Sequence, residues 1–586
     1  SEDDEISWLG AIRFVGKKPL QQACVTVNGH LVIGGEPDGM PDANIQFDSC
    51  HNEGMLSFGG ALHVDGLTMR SGFVMIQDSS SAGGGGLYIR GNGLHQTGGK
   101  VLLKDCGSDG SGGGLRIDSD DGFQQDAGDI SCIGCAAAQY GGCMAINGRT
   151  YIAGSIDVKN CSADSGGAVS VLGALESLGL MEFAWCTARA GGGALRVESR
   201  LIQHAGSMKF RSCTATEDGG AMNLDKSLTA TGTMEFYACH ADGDGGAIKL
   251  HGNLFQLADG NMSFALCTAR RGGAVAARGL EASGTMEFKQ CHADDSGGAA
   301  VVETDFDQKA GRADFKSCTA GNGGALVVRG DLVCDGLCSI ESCHAEGSAL
   351  EVSGEIRVPD LPTDCPDGVL DLTGMLYVVD WISFFHGNCK IRGTGATVLI
   401  KEPLVVEGAV EFLGIITFIG LSPMEQACVT VQGNVTIGGT SDEANILFTD
   451  CHNQDNTSAG GALHIVEGLT VVSGVLEIER SSSVKGGGGV YIDNGNLRQV
   501  GGRLLFNAST SEDNGGGLLI GKGSLVQADG QISCHKCSAK RGGCLALNGA
   551  DNYSLQTNGS IEAESCTAAA GAGSQSFCSC RTDSVV

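Results

Sequence analysis

MKFRSCTATEDGGAMNL, residues 208–224, is followed by MEFYACHADGDGGAIKL at 234–250, MSFALCTARRGGAVAA at 262–277, MEFKQCHADDSGGAAVV at 286–302 and ADFKSCTAGNGGALVV at 313–328. The shared phrase is F-x-x-C, a short polar turn, then G-G-A and an apolar residue. Its glycine pairs begin at Gly59, Gly141, Gly166, Gly192, Gly219, Gly245, Gly272, Gly297 and Gly323, a spacing of about 26 residues. Each unit holds three short alternating segments, too short for helices and of strand length. One unit cannot bury its faces alone, so copies must stack, each strand pairing with its counterpart about 4.8 Å away. The expected fold is all-β, a parallel β-helix of about 26-residue, three-strand coils.

Composition agrees. Of 586 residues 95 are glycine and only 5% are aromatic, so a thin core of small and branched side chains is expected rather than one thick globule. Glycine pairs suit corners that turn within two or three residues at positive φ. No proline lies between Pro41 and Pro359, as an uninterrupted ladder requires.

A larger repeat overlies the small one. GAIRFVGKKPLQQACVTVNGHLVIGG from Gly10 recurs as GIITFIGLSPMEQACVTVQGNVTIGG from Gly414. The expected division is a first β-helix segment over 1–352, an irregular connection or cap over 353–402, and a second segment over 403–586. That second segment duplicates about 10–150 and ends in a degenerate C-terminal cap. The chain begins at Ser1 with an acidic run and no initiator Met, which reads as a processed or truncated product.

The G-G-A-[ILV] and F-x-x-C phrases resemble the repeats of the chlamydial polymorphic membrane proteins, over roughly 42–350 and 440–575, with Cys where that family carries Asn. The wider likeness is to pectin-lyase-like folds. The resemblance implies a right-handed parallel β-helix and, by analogy, surface adhesion or carbohydrate contact.

The formal charge of −30, without a Lys/Arg cluster, argues against nucleic acid as a partner. The longest apolar stretches are too short or too charged to span a bilayer. Protein partners, self-assembly and glycans remain as partner classes.

Twenty-six cysteines favour an oxidising route, hence a secreted, cell-surface or organelle-lumen address. Cys161, Cys186, Cys213, Cys239, Cys267, Cys291, Cys318 and Cys343 occupy one position in successive coils. Stacked in register, their Cβ atoms stand farther apart than the ~3.8 Å a bridge prefers. A buried thiol ladder is expected first, with inter-coil disulfides, metal binding or redox chemistry as alternatives. Cys132 with Cys143, and Cys534 with Cys544, read as local disulfides rather than zinc sites, because His535 has Ile133 as its counterpart. Cys334, Cys338, Cys365, Cys389, Cys578 and Cys580 read as staples of irregular ends.

His240, His292 and His344 follow the Cys in alternate coils, about 9.6 Å apart and too far to share a metal. Asp242, Asp244, Asp294 and Asp295 are the candidates for weak Ca²⁺ binding; no other cofactor is expected. The acids recur with the repeat, apart from Asp120 with Asp121, so no catalytic set stands out and an enzyme is not expected. Sequons at Asn160, Asn261, Asn434, Asn456, Asn507, Asn552 and Asn558 fit secretion. The expected role is a non-catalytic structural or adhesive rod or assembly scaffold. The alternatives are a carbohydrate-binding or polysaccharide-cleaving protein and a subunit of a larger filament or complex.

Overall fold

Each F-x-x-C phrase forms a five-residue strand with alternating burial. In Ser207–Arg211, Met208 and Phe210 are buried while Lys209 lies between them on the outer side, the period-2 signature of a strand with one dry face. The structure, a computed structural model, describes residues 5–35, 43–54, 58–345, 350–362, 365, 368–372, 375–379, 383–385, 387–439, 443–548, 555–569 and 576–577. Among these residues there is no α-helix, and the fold is a parallel β-solenoid of about 19 turns. The chain divides into two compact units, Ser1–Gly336 with Ser342–Arg357, and Leu337–Glu341 with Val358–Val586.

In the first unit a turn runs through four strands. The Phe strand Ser207–Arg211 leads to a two-residue rung, Thr214–Ala215, then to Met222–Leu224 after the glycine pair, then to a return strand, Leu228–Ala230. These belong to three parallel sheets, because the long strands Val25–Ile33, Leu62–Met69 and Leu87–Gln96 merge the last two columns into one. The short rung is an addition to the expected three-strand coil; Thr-Ala is long enough to pair with the next turn but not to extend.

Pairing is in register, so like residues stack on like. Phe183, Phe210, Phe236, Phe264, Phe288 and Phe315 are directly opposed along the sheet. Their ring centroids lie 5.0, 4.9, 4.9, 4.8 and 4.9 Å apart, with planes within 12°. Beside them Met181, Met208, Met234, Met262 and Met286 form a second buried file. Such ring pairs contribute about 0.5–1.5 kcal/mol each beyond the area they bury.

Two corner devices close each turn. The residue just before the ladder position is left-handed throughout: Asn160, Trp185, Ser212, Ala238, Leu266, Gln290 and Ser317 have φ between 50° and 56°. Among the described residues every non-glycine with positive φ stands at this place. The second corner is the glycine pair. Gly245 has φ +70°, and a Cβ on Gly246 would lie 2.1 Å from the carbonyl oxygen of Gly273 in the next turn. The first glycine thus answers a conformation and the second a close approach between turns.

The second unit repeats these devices. Ala444–Thr449, Val475–Glu479, Arg503–Asn507, Gln531–His535 and Ser560–Glu564 stack as its Phe-strand column. Phe418 stacks on Phe448 at 4.6 Å, as Phe14 does on Phe47 at 4.7 Å in the first copy. The segment expected to be an irregular connection, 353–402, holds Val369–Leu372, Leu376–Val379, Ser383–Phe385 and Cys389–Ile400, all in parallel pairings; its Pro366 and Trp381 lie outside the described residues. Leu545–Leu547 pairs antiparallel with Ser576–Phe577, unlike every other named strand pairing described.

Two substitutions test this account by chemical denaturation. Phe236→Ala, in the middle of the ring stack, is expected to cost about 3–5 kcal/mol. Gly246→Ala, which pushes a methyl into the neighbouring turn, is expected to cost about 1–3 kcal/mol.

Candidate binding surface

The eight ladder cysteines are all buried and unbridged, and Cys106 and Cys135 extend the same row. Each thiol donates to backbone carbonyls: Cys213 to Phe183 at 3.8 Å and Arg211 at 3.6 Å, Cys239 to Phe210 at 3.8 Å and Tyr237 at 3.7 Å. Burial, reinforced by the Cys239 and Cys291 sulfurs, holds the Cys267 thiol well above its usual range. Other members shift the opposite way, Cys318 down to about 4 through hydrogen bonds from Cys291 and Cys343, so it is burial in the core that shields the row from reagents. Cys566 in the second unit differs. It is partly exposed, and a hydrogen bond from Cys537 pulls its pKa down to about 7.

The off-ladder cysteines pair locally. Cys132 joins Cys143 and Cys534 joins Cys544, while Cys24–Cys50 and Cys428–Cys451 form a second duplicated pair and Cys365–Cys389 stands alone. Cys334 and Cys338 are both disulfide-bonded; Cys578 and Cys580 lie outside the described residues.

The four aspartates considered for Ca²⁺ do not converge. Asp244 is buried, and its carboxylate contacts Lys249 at 2.8 Å, Arg271 at 2.6 Å and Arg270 at 3.6 Å. Burial opposes its charge, but Arg271 and Lys249 override that cost and hold the carboxyl well below the usual range. Asp242 pairs with His240 at 2.9 Å, Asp294 with His292 at 3.3 Å, and Asp295 with Arg270 at 3.9 Å. Among the described residues no three His, Cys, Asp or Glu side chains come together as a metal site.

The alternating histidines and threonines form a file on the outer side of the short-rung sheet. Thr187, Thr214, His240, Thr268, His292 and Thr319 are opposed in register, with alanines behind them facing the core. His240 bonds Thr268 at 2.7 Å and His292 bonds Thr319 at 2.8 Å. This file floors an open groove of about 630 Å³, lined among others by Ser162, Asp164, Thr187, Arg189, Thr214 and His240. Its acids are engaged internally, Asp164 by Arg189 at 3.1 Å and Asp242 by the His240 ring at 2.9 Å. The result is a hydroxyl-rich trough.

A second groove, of about 820 Å³, runs along the return strands. Asp120 and Asp121 line it, with Tyr151, Arg149, Arg200 and Lys226. The last three are exposed cations without an ion-pair partner among the described residues.

Of the sequons, Asn160, Asn261, Asn434, Asn456 and Asn558 are exposed, Asn507 is half-buried, and Asn552 lies outside the described residues. Sequence reasoning missed a file of buried glutamines, Gln96, Gln125, Gln203, Gln256, Gln308, Gln499 and Gln527, none more than 1% exposed. Their amides donate to corner carbonyls, as Gln203 to Thr233 at 3.0 Å and Gln499 to Gly502 at 3.0 Å. The signal was present as an [L/F]-x-Q recurring at the end of seven return strands.

Two measurements check the electrostatics. With a thiol-alkylating reagent on the folded protein, Cys566 is expected to react first among the described thiols, its rate rising as pH passes about 7, while the ladder thiols react only on unfolding. The depressed Asp244 pKa contributes stability above the unfolded carboxylate range of about 4, and that contribution fades as pH falls through it. Asp244→Asn is therefore expected to lower stability at neutral pH and flatten its fall on acidification, read from urea midpoints. No protein-family model, no curated protein and no solved structure matches the chain.

Proposed function

We propose that this protein is a non-catalytic structural or adhesive scaffold, a β-solenoid displaying repeated side-chain files to partners at a cell surface or in an extracellular assembly. The observation that carries this reading is that the recurring reactive groups are used by the architecture. Ladder thiols are buried in the core and the recurrent acids are largely tied up in ion pairs. Several disulfides support an oxidising, secreted or surface address. No helix among the described residues is long and apolar enough to cross a membrane. The likeness of the repeats to those of the chlamydial polymorphic membrane proteins, on a right-handed pectin-lyase-like helix, is part of this reading. Partners on it are proteins, further copies of the chain, or glycans.

A second reading, a polysaccharide-cleaving enzyme, is favoured by one observation. Asp120 and Asp121 share a groove with three unpaired cations, Arg149, Arg200 and Lys226, a pairing of acids and positive charge that suits an acidic sugar polymer. Incubation with acidic and neutral polysaccharides decides between them. The scaffold reading expects neither new reducing ends nor unsaturated products; turnover abolished by Asp121→Asn would replace it with the second.

A further inference from the structure

Trp185 is the largest residue at its position. It holds the left-handed conformation before the ladder, φ +55°, where other turns place Ser, Asp, Asn, Ala, Leu, Gln, Arg or Lys, and it is 56% exposed. The conformation belongs to the turns in general, so it is the exposure of a large ring there that sets Trp185 apart. In the neighbouring column, at the end of the Phe strand, Arg211 is opposed to Ala184 on one side and on the other to Tyr237, which is 52% exposed; the column of Trp185 itself continues through Ser212 and Ala238. Leu266, left-handed at φ +56° and 41% exposed, follows in the next turn. Arg211 has no acidic partner among the described residues.

This corner borders the hydroxyl-rich trough. Trp185 lies two residues before Thr187, on the opposite side of the rung from Arg189. Trp185 and Tyr237, two turns apart in neighbouring columns, therefore stand about 10 Å from each other along the solenoid axis, twice the ~4.8 Å strand spacing. That separation is close to a disaccharide repeat in an extended β-linked chain. The apolar rim is one corner wide, too narrow for the ~800 Å² per partner that a stable protein interface buries.

We propose that the Trp185–Arg211–Tyr237 corner and the trough beside it form a binding site for an extended, neutral polysaccharide. The rings stack on alternate sugar faces. The planar Arg211 guanidinium between them donates to ring hydroxyls, and Ser162, Thr187 and Thr214 hydrogen-bond the outer edge. A neutral chain fits because the trough's acids are already engaged, Asp164 by Arg189 and Asp242 by the His240 ring, and Arg211 is the site's one cation without an acidic partner among the described residues, whereas three such cations line the other groove. The proposal rests on the scaffold reading and names its partner class.

The full chain is titrated by calorimetry with cello-hexaose and N-acetylchito-hexaose, and with hexagalacturonate as the anionic arm. At least one neutral hexasaccharide is expected to bind. Trp185→Ser and Tyr237→Ser are each expected to weaken it about tenfold. Ser occupies the same corner at Ser212 and Ser317, so Trp185→Ser is expected to keep or raise the melting temperature, which separates lost contact from lost fold. The site is overturned by no neutral binding at millimolar sugar, by binding of hexagalacturonate alone, or by affinity unchanged in both variants. Cleavage of a bound sugar overturns the scaffold reading instead and leaves the site standing.

Discussion

Everything in this molecule follows from the hydrogen-bond spacing between successive turns. Parallel strands in register bring each residue about 4.8 Å from its own counterpart, so a side chain must be able to live against a copy of itself. Phenylalanine does so by stacking nearly parallel rings at 4.8–5.0 Å. Cysteine does so as a small apolar group whose S–H finds a carbonyl. Charges keep to the outer positions of the sheet, where Lys209 opposes Glu235 and contacts it at 3.5 Å, and where like charges such as Lys289 and Lys316 also meet.

The same spacing explains where the covalent staples sit. Ladder cysteines meet like neighbours along the axis and remain thiols, while bridges form only where one cysteine leaves the file. Cys24 reaches Cys50 and Cys428 reaches Cys451, with Cα separations of 5.9 and 5.7 Å. Cys132 and Cys143 are joined across a single turn, as are Cys534 and Cys544. That both kinds recur in the duplicated copies shows the duplication to be one of geometry as well as of letters.

The F-x-x-C and G-G-A phrases made strand phase, turn length and the buried files legible, because stacking writes the same residue at the same place. Apart from the glutamine file, what stayed hidden was whatever stacking does not repeat. The left-handed corner is filled by Asn160, Trp185, Leu266 and Gln290 alike, so no letter marks it. Asp244 read as a cation ligand because its partners are not beside it in the repeat: Lys249 lies past the glycine pair and Arg271 in the next turn. The groove along the return strands was equally invisible, since Asp120, Arg149, Arg200 and Lys226 come from different turns.

The buried glutamines set the alignment of the stack. Phenyl, thioether and isobutyl groups tolerate a sideways slide of the chain, since one apolar neighbour serves nearly as well as another. An amide does not: its N–H groups need the carbonyls at the following corner, such as Gly502 for Gln499 and Gly530 for Gln527. A slip of one residue would turn these amides outward and leave those carbonyls bare in the dry interior. The glutamine file thus acts as a row of detents, letting an otherwise slippery apolar column lock at a single offset.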